Sequence, residues 1–116
     1  MPWNVVFHPA FVRDYQKLAR SVQDELTAFL VYLREVGPAL GRPHADTLKG
    51  SKHRNMKELR FAADDGVWRV AFAFDPERRA VVLVAGDKTG VDQRRFYKSL
   101  IAIADRRFDE HLANLE

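Results

Sequence analysis

Two neighbouring stretches of the chain alternate bulky and small or polar side chains with a period of two. They are MKELRF (56–61) and GVWRVAFAF (66–74). Such a period marks β-strands, because successive strand side chains point to opposite faces. A third strand follows over 80–87, AVVLVAGD. The linkers AADDG and DPERR carry turn-forming residues, so the three strands predict an antiparallel meander. Upstream, WNVVF (3–7) reads as a short aromatic, β-branched strand. The period then changes. Phe11, Tyr15 and Leu18 recur at helical spacing behind Pro9, a residue favoured in a first helical turn. Ser21 with Asp24 resembles a capping box, and Leu26, Phe29, Leu30 and Leu33 form the stripe of a second helix that Gly37-Pro38 ends. Asp92 is placed to cap a last helix with Phe96, Leu100, Ile103, Phe108, Leu112 and Leu115 on its apolar side. The stretch GPALGRPHADTLKGSKHRN holds three glycines and two prolines and predicts an irregular loop. The expected order is strand, two helices, three-strand meander and C-terminal helix. It describes an α+β fold, a small antiparallel sheet with its helices packed on one face.

That expectation leaves the other sheet face open. In 66–74 the bulky set Trp68, Val70, Phe72 and Phe74 must face the helices, which puts Arg69 on the open face beside Ala71 and Ala73. In 56–61, Leu59 and Phe61 join the core side, so Glu58 and Arg60 share the open face with Arg69. Lys88 ends the third strand. Fixed guanidinium forks on one face suit phosphate, whose oxygens they match bidentately. The competing reading is a salt-bridge ladder that only stabilises the sheet.

Length and composition change this picture little. A chain of 116 residues with 47% apolar content is one domain, 1–116, with ample material for a core. The net charge of +3 is modest, but Lys49, Lys52, Arg54, Lys57 and Arg60 cluster against the single acid Glu58. Such clustering collects polyanions, although charge runs are also common as solvated loops. Absence of cysteine removes disulfides, thiolate metal sites and cysteine nucleophiles. No secretory leader or membrane-length apolar run is visible, so a soluble cytoplasmic protein without membrane association is expected. His53 lies in the basic loop and is a minor candidate for catalysis. His8, His44 and His111 show no ligand-like spacing, and no metal or other cofactor is expected. The segment GDKTG lacks the glycine spacing of a phosphate-binding loop.

The run LKGSKHRNMKELRF, the strand GVWRVAFAFD and the stretch VVLVAGDKTGVDQRRFYKSL together resemble the RelE/ParE superfamily of bacterial toxins, and within it the HigB-like members. The resemblance covers nearly the whole chain. It implies the toxin of a type II toxin–antitoxin system, a ribosome-dependent mRNA endoribonuclease that inhibits translation. It also implies a cognate antitoxin, of a kind that often carries a helix-turn-helix, so that DNA affinity would belong to that partner. Arg69 matches the arginine of the aromatic-Arg-aliphatic strand that contacts the scissile phosphate. Lys88 matches the basic residue at the end of the last strand, Arg60 the arginine of the KELR strand, and Tyr97 the tyrosine of the C-terminal segment. The pattern departs from RelE where that protein has two lysines, at positions occupied here by Met56 and Glu58. The superfamily also includes ParE, a gyrase poison without nuclease activity, which is the alternative.

On the nuclease reading, the ribose 2′-hydroxyl attacks the adjacent phosphate. The site must then remove a proton, stabilise equatorial charge and protonate the leaving 5′ oxygen. Arg60 and Arg69 suit the charge, because fixed cations need no reorganisation as it develops. Glu58 is a candidate base, and Lys88 or Tyr97 a candidate acid. Tyr97 would otherwise stack on a splayed base or pack beneath the last helix. Lys49, Lys52, Arg54 and Lys57 would hold RNA through its phosphates.

Overall fold

The computed structural model describes residues 2–115. Five strands form one sheet: β1 (Asn4–Phe7), β2 (Ala45–Thr47), β3 (Met56–Ala63), β4 (Gly66–Phe74) and β5 (Arg79–Asp87). Three α-helices accompany them: α1 (Pro9–Gln16), α2 (Arg20–Val36) and α3 (Gln93–Ala113). The strand order is β1-β5-β4-β3-β2. β1 runs parallel to β5, and every other pairing is antiparallel.

The meander forms as its alternation predicts. Asp64 and Asp65 adopt positive φ (53° and 59°) between β3 and β4, a two-residue turn whose twist matches that of the strands. At the next corner the Asp75 carboxylate accepts from the amides of Glu77 and Arg79 and fixes the turn into β5. Asp92 caps α3 by accepting from the Arg95 amide. α2 starts two residues earlier than a Ser21 cap suggests, with Ala19 at its N-cap and no side-chain cap. The glycine- and proline-rich segment contains a short element the pattern does not reveal, β2, which pairs with Lys57–Leu59 of β3.

The α+β class holds, but the helices do not share one face. α1 and α2 pack on Leu59, Phe61, Val70, Phe72, Phe74 and Val82. α3 packs on the opposite face, where Phe96, Leu100, Ala104 and Phe108 cover Met56, Ala71, Ala73, Val81 and Leu83. Ala71 and Ala73 are small because a helix lies on them, not because they face water. Gly86 serves the same approach: a Cβ there would come 2.9 Å from Phe96 Cε1. One face of the sheet is therefore fully roofed by two helices. The other is roofed only over the β4–β5 side by α3, and the β2–β3 side stays open.

The C-terminal half of α3 is fastened by polar contacts. Arg107 reaches Asp14 and the Leu83 carbonyl (2.7 Å each), His111 meets Asp75 at 2.8 Å, His53 meets Asp109 at 2.9 Å and His8 meets Glu110 at 3.0 Å. His8 has a second task. Its Nδ1 accepts from the Ala10 amide and caps α1, so the proton sits on Nε2, which donates to Glu110. Burial, the largest influence, holds the His8 pKa below its ordinary 6.5 despite the nearby Glu110 carboxylate. The unfolded chain thus binds this proton more readily than the folded one. The stabilisation is complete above pH 6.5 and is lost as the pH falls through the lower folded value. Thermal melts across that range should show a falling midpoint for the native chain. His8→Asn keeps a capping side chain but does not titrate, and should show a flatter profile.

Candidate active site

β3 and β4 set Arg60 directly opposite Arg69 and Glu58 opposite Ala71 on the face that α3 partly roofs. β2 adds Asp46 opposite Glu58 on the same face. The rim of α3 then closes one side with Gln93 and Tyr97, and Lys88 enters from the end of β5. The result is a polar cleft of about 300 Å³ lined by Arg42, Asp46, Lys49, Glu58, Arg60, Lys88, Gln93 and Tyr97 among others.

Arg69 occupies a different position from that expected. It lies on the predicted face but is only 7% exposed and does not line the cleft. The open-face premise fails here because α3 covers this part of the sheet and lays Tyr97 over the guanidinium. Arg69 Nε donates to Tyr97 Oη at 3.1 Å, and its Nη1 donates to the Trp68 carbonyl at 2.9 Å. Tyr97 Oη in turn donates to Glu58 Oε1 at 2.8 Å. The direct Arg69–Glu58 separation is 3.7 Å, so the phenol bridges the ion pair. Glu58 itself is 6% exposed. Burial first, and the Glu58 carboxylate second, push the Tyr97 phenol above its ordinary pKa of 10. Tyr97 is therefore neutral near pH 7, and beside the roles expected of it (acid, stacking platform or packing residue) it is the hydrogen-bonded link between two buried charges.

Lys88 Nζ stands 3.5 Å from Gln93 Oε1 and faces the cleft, as does Arg60. The basic loop divides. Lys49 lines the cleft. Lys52 is bound to Asp109 of α3, with His53 on the same carboxylate and Ser51 on Asp105. His53 is thereby committed to fastening α3, beside Phe108 rather than in the cleft. Arg54 is exposed in the loop before β3. Lys57 belongs elsewhere: the strand period places it on the α2 face, opposite Phe72, where it donates to Thr47 Oγ1 at 3.2 Å.

The sequence pattern does not single out Arg42, Asp46 or Gln93. Arg42 Nη2 holds Asp46 Oδ2 at 2.7 Å, and this guanidinium is the main reason the Asp46 carboxyl titrates below its ordinary range. The available signal was their i, i+4 spacing in opposite charge, which is uninformative inside a segment read as loop. Four cations at the cleft, Arg42, Lys49, Arg60 and Lys88, face two carboxylates, one paired to Arg42 and one bonded to Tyr97. Such a cleft favours an anion with several oxygens. Among the described residues no group of three or more acidic or histidine side chains is arranged to ligate a metal, and no helix is long and apolar enough to cross a membrane.

Comparison with known proteins agrees with this architecture. The family model described as phage-derived protein Gp49-like (DUF891) matches residues 13–109. HigB3 of Mycobacterium tuberculosis, a toxin by designation, is 40% identical over 110 residues, which are 95% of this chain and 94% of HigB3. HigB2 of the same organism, likewise designated a toxin, is 45% identical over 100 residues, 85% of this chain but only 49% of HigB2, so the chain spans about half the length of that relative. Among solved structures, Escherichia coli toxin RelE, in the free state as a double arginine-to-alanine mutant, superposes with a TM-score of 0.60 over 88% of this chain and 96% of RelE, at 16% identity. Sheet, helices and family match converge: the chain has the fold of RelE, belongs to the Gp49-like family and is HigB-like.

Proposed function

We propose that this protein is the toxin of a RelE/HigB-type toxin–antitoxin system and that it cleaves mRNA on the ribosome. The observation that carries the reading is the convergence of Arg60 and Lys88 on one cleft whose wall also presents the Glu58 carboxylate. In the reaction, Glu58 takes the proton of the ribose 2′-hydroxyl as the oxygen bonds to phosphorus. Arg60, with Arg42 and Lys49 at the margin, balances the charge on the phosphoryl oxygens. The P–O5′ bond breaks and the Lys88 ammonium protonates the departing oxygen, leaving a 2′,3′-cyclic phosphate and a free 5′-hydroxyl. No metal takes part. The raised pKa of Tyr97 suits it poorly to be that acid. Its place between Glu58 and Arg69 suits it to orient the base. Arg69 acts from behind, fixing the phenol and offsetting the Glu58 charge.

The partner that restrains the protein is a cognate antitoxin with a helix-turn-helix of its own, and the setting is the cytoplasm. The occlusion of Arg69 favours one further reading, a ParE-like inhibitor that binds gyrase and cuts no RNA, because a binder does not need that guanidinium at the surface. One experiment separates them. The native chain and an Arg60→Ala/Lys88→Ala variant are expressed without antitoxin, followed by growth, primer extension on translated messages, and plasmid supercoiling. Cleavage within codons by the native chain, lost in the variant with normal supercoiling throughout, is the expected result. Growth arrest with intact messages and impaired supercoiling overturns it.

A further inference from the structure

The strand register orders the groups of the cleft along a line. Arg60 stands opposite Arg69 in one row of the sheet. Two residues back along β3 is the row of Glu58, which β2 extends with Asp46. Arg42 is tied to Asp46, and Lys49 lies further out at this same end, just past Leu48, whose amide donates to the Met56 carbonyl. Two residues from Arg60 in the opposite direction is Ala62, paired with Val67. Lys88 joins that row, because its amide donates to the Val67 carbonyl at 2.9 Å. The turn that carries it is fixed, since the Asp87 carboxylate accepts from the amides of Val67 and Thr89. Strand rise sets successive rows of one face about 7 Å apart. Glu58 and Lys88 therefore flank Arg60 from opposite ends. Gln93, at the first position of α3, belongs to the Lys88 end.

An in-line displacement turns that order into a direction. The attacking 2′-oxygen and the leaving 5′-oxygen lie at opposite apices of phosphorus. The first belongs to the nucleotide before the cut and the second to the nucleotide after it. With Glu58 at the 2′-hydroxyl and Lys88 at the 5′-oxygen, the preceding nucleotide lies toward β2 and the following one toward the start of α3. There it meets Gln93, whose amide is already oriented. The Lys88 ammonium has only donors, so it claims the Gln93 oxygen, at 3.5 Å, and turns the amide nitrogen away. Gln93 is exposed, and among the described residues its nitrogen has no acceptor, so two N–H donors face the incoming base. Granted the cleavage chemistry proposed for this cleft, we infer that Gln93 determines specificity: it reads the base that follows the cut and selects the carbonyl edge of guanine (O6) or uracil (O4). Adenine and cytosine carry an amino group at that place, which would set donor against donor. The cations of the cleft do not share this task, because phosphates carry no sequence information.

The test uses the full chain with ribosomes programmed by four short messages that differ only in the nucleotide after the mapped cut. Single-turnover cleavage of the guanine and uracil messages should exceed that of the adenine and cytosine messages about tenfold, the worth of one hydrogen bond gained and one donor clash avoided. Gln93→Glu replaces donors by acceptors at a helix start, where a carboxylate is well tolerated, and should invert the order. Gln93→Leu should flatten it. A merely structural role would lower all four rates together. The direction is read without cleavage, in messages lacking the 2′-hydroxyl before the cut: 4-thiouridine after that position should crosslink to the first turn of α3, and 4-thiouridine before it to residues 42–49. Preference of the native chain for adenine or cytosine, one base order in all three proteins, or crosslinks in the reverse arrangement overturns the assignment and leaves the nuclease standing. No cleavage of any message by the native chain overturns the nuclease, and the assignment with it.

Discussion

Arg69→Ala should lower the unfolding free energy by about 3 kcal/mol, because removing one partner of a buried ion pair strands the other charge. The stranded group is the Glu58 carboxylate, 6% exposed and left with only the Tyr97 hydroxyl as a donor. Adding Glu58→Gln to Arg69→Ala should recover most of that loss, since the amide needs no counter-charge. Urea denaturation of the two single variants and the double variant reads the coupling directly. Activity should follow a different course. Each variant that lacks Glu58 or Arg69 should fail to arrest growth, including the refolded, stable double variant. A double variant that is stable and still toxic would remove both residues from the chemistry and leave them as structure.

The meander in which these residues sit was legible because its alternation is strict and its turns carry suitable residues. The placement of α3 departs from the pattern's expectation, although the sequence carries a clue to it. AVVLVA (80–85) is apolar without alternation, which marks a strand buried on both faces, whereas Ala71 and Ala73 read equally well as small residues beside water. A small side chain under a helix and a small side chain in solvent look the same in a one-dimensional pattern. Which face α3 occupies is decided by the path of the Lys88–Asp92 connection and by the space that Gly86 and two alanines leave for Phe96 and its neighbours. The same ambiguity of face hides the burial of Arg69, which α3 covers in the fold. β2 escaped notice because three residues cannot display a period, and Arg42 and Asp46 escaped with it.

Phe108→Ala should be the most damaging single truncation in the α3 layer, at about 3–5 kcal/mol. Phe108 is 2% exposed and belongs to the buried cluster between α3 and the sheet. It meets His53 edge-on at 4.8 Å between ring centroids and stacks along His111 at 6.1 Å. The truncation therefore removes apolar burial and also loosens two histidines that bind Asp109 and Asp75. Calorimetry should show a lower, broader transition. Because Tyr97 rides on the same helix three turns away, the variant should also lose Tyr97 protection from solvent, read by fluorescence quenching or hydroxyl exchange. A variant with native stability would place the anchoring of α3 elsewhere.

The polypeptide reaches the underside of the sheet through one short passage, Lys88–Asp92, in which Gly90 has positive φ and nothing within 4 Å of where a Cβ would stand. Severing the backbone at that glycine would yield two fragments, and everything that rejoins them is non-covalent: a greasy footprint at one end, a row of charged clasps at the other. The smaller fragment would carry Tyr97 and the larger one Glu58 and Arg69. Neither alone would own the bridged charge pair, so the chemistry proposed for the cleft would become a property of reassociation, switched on by mixing.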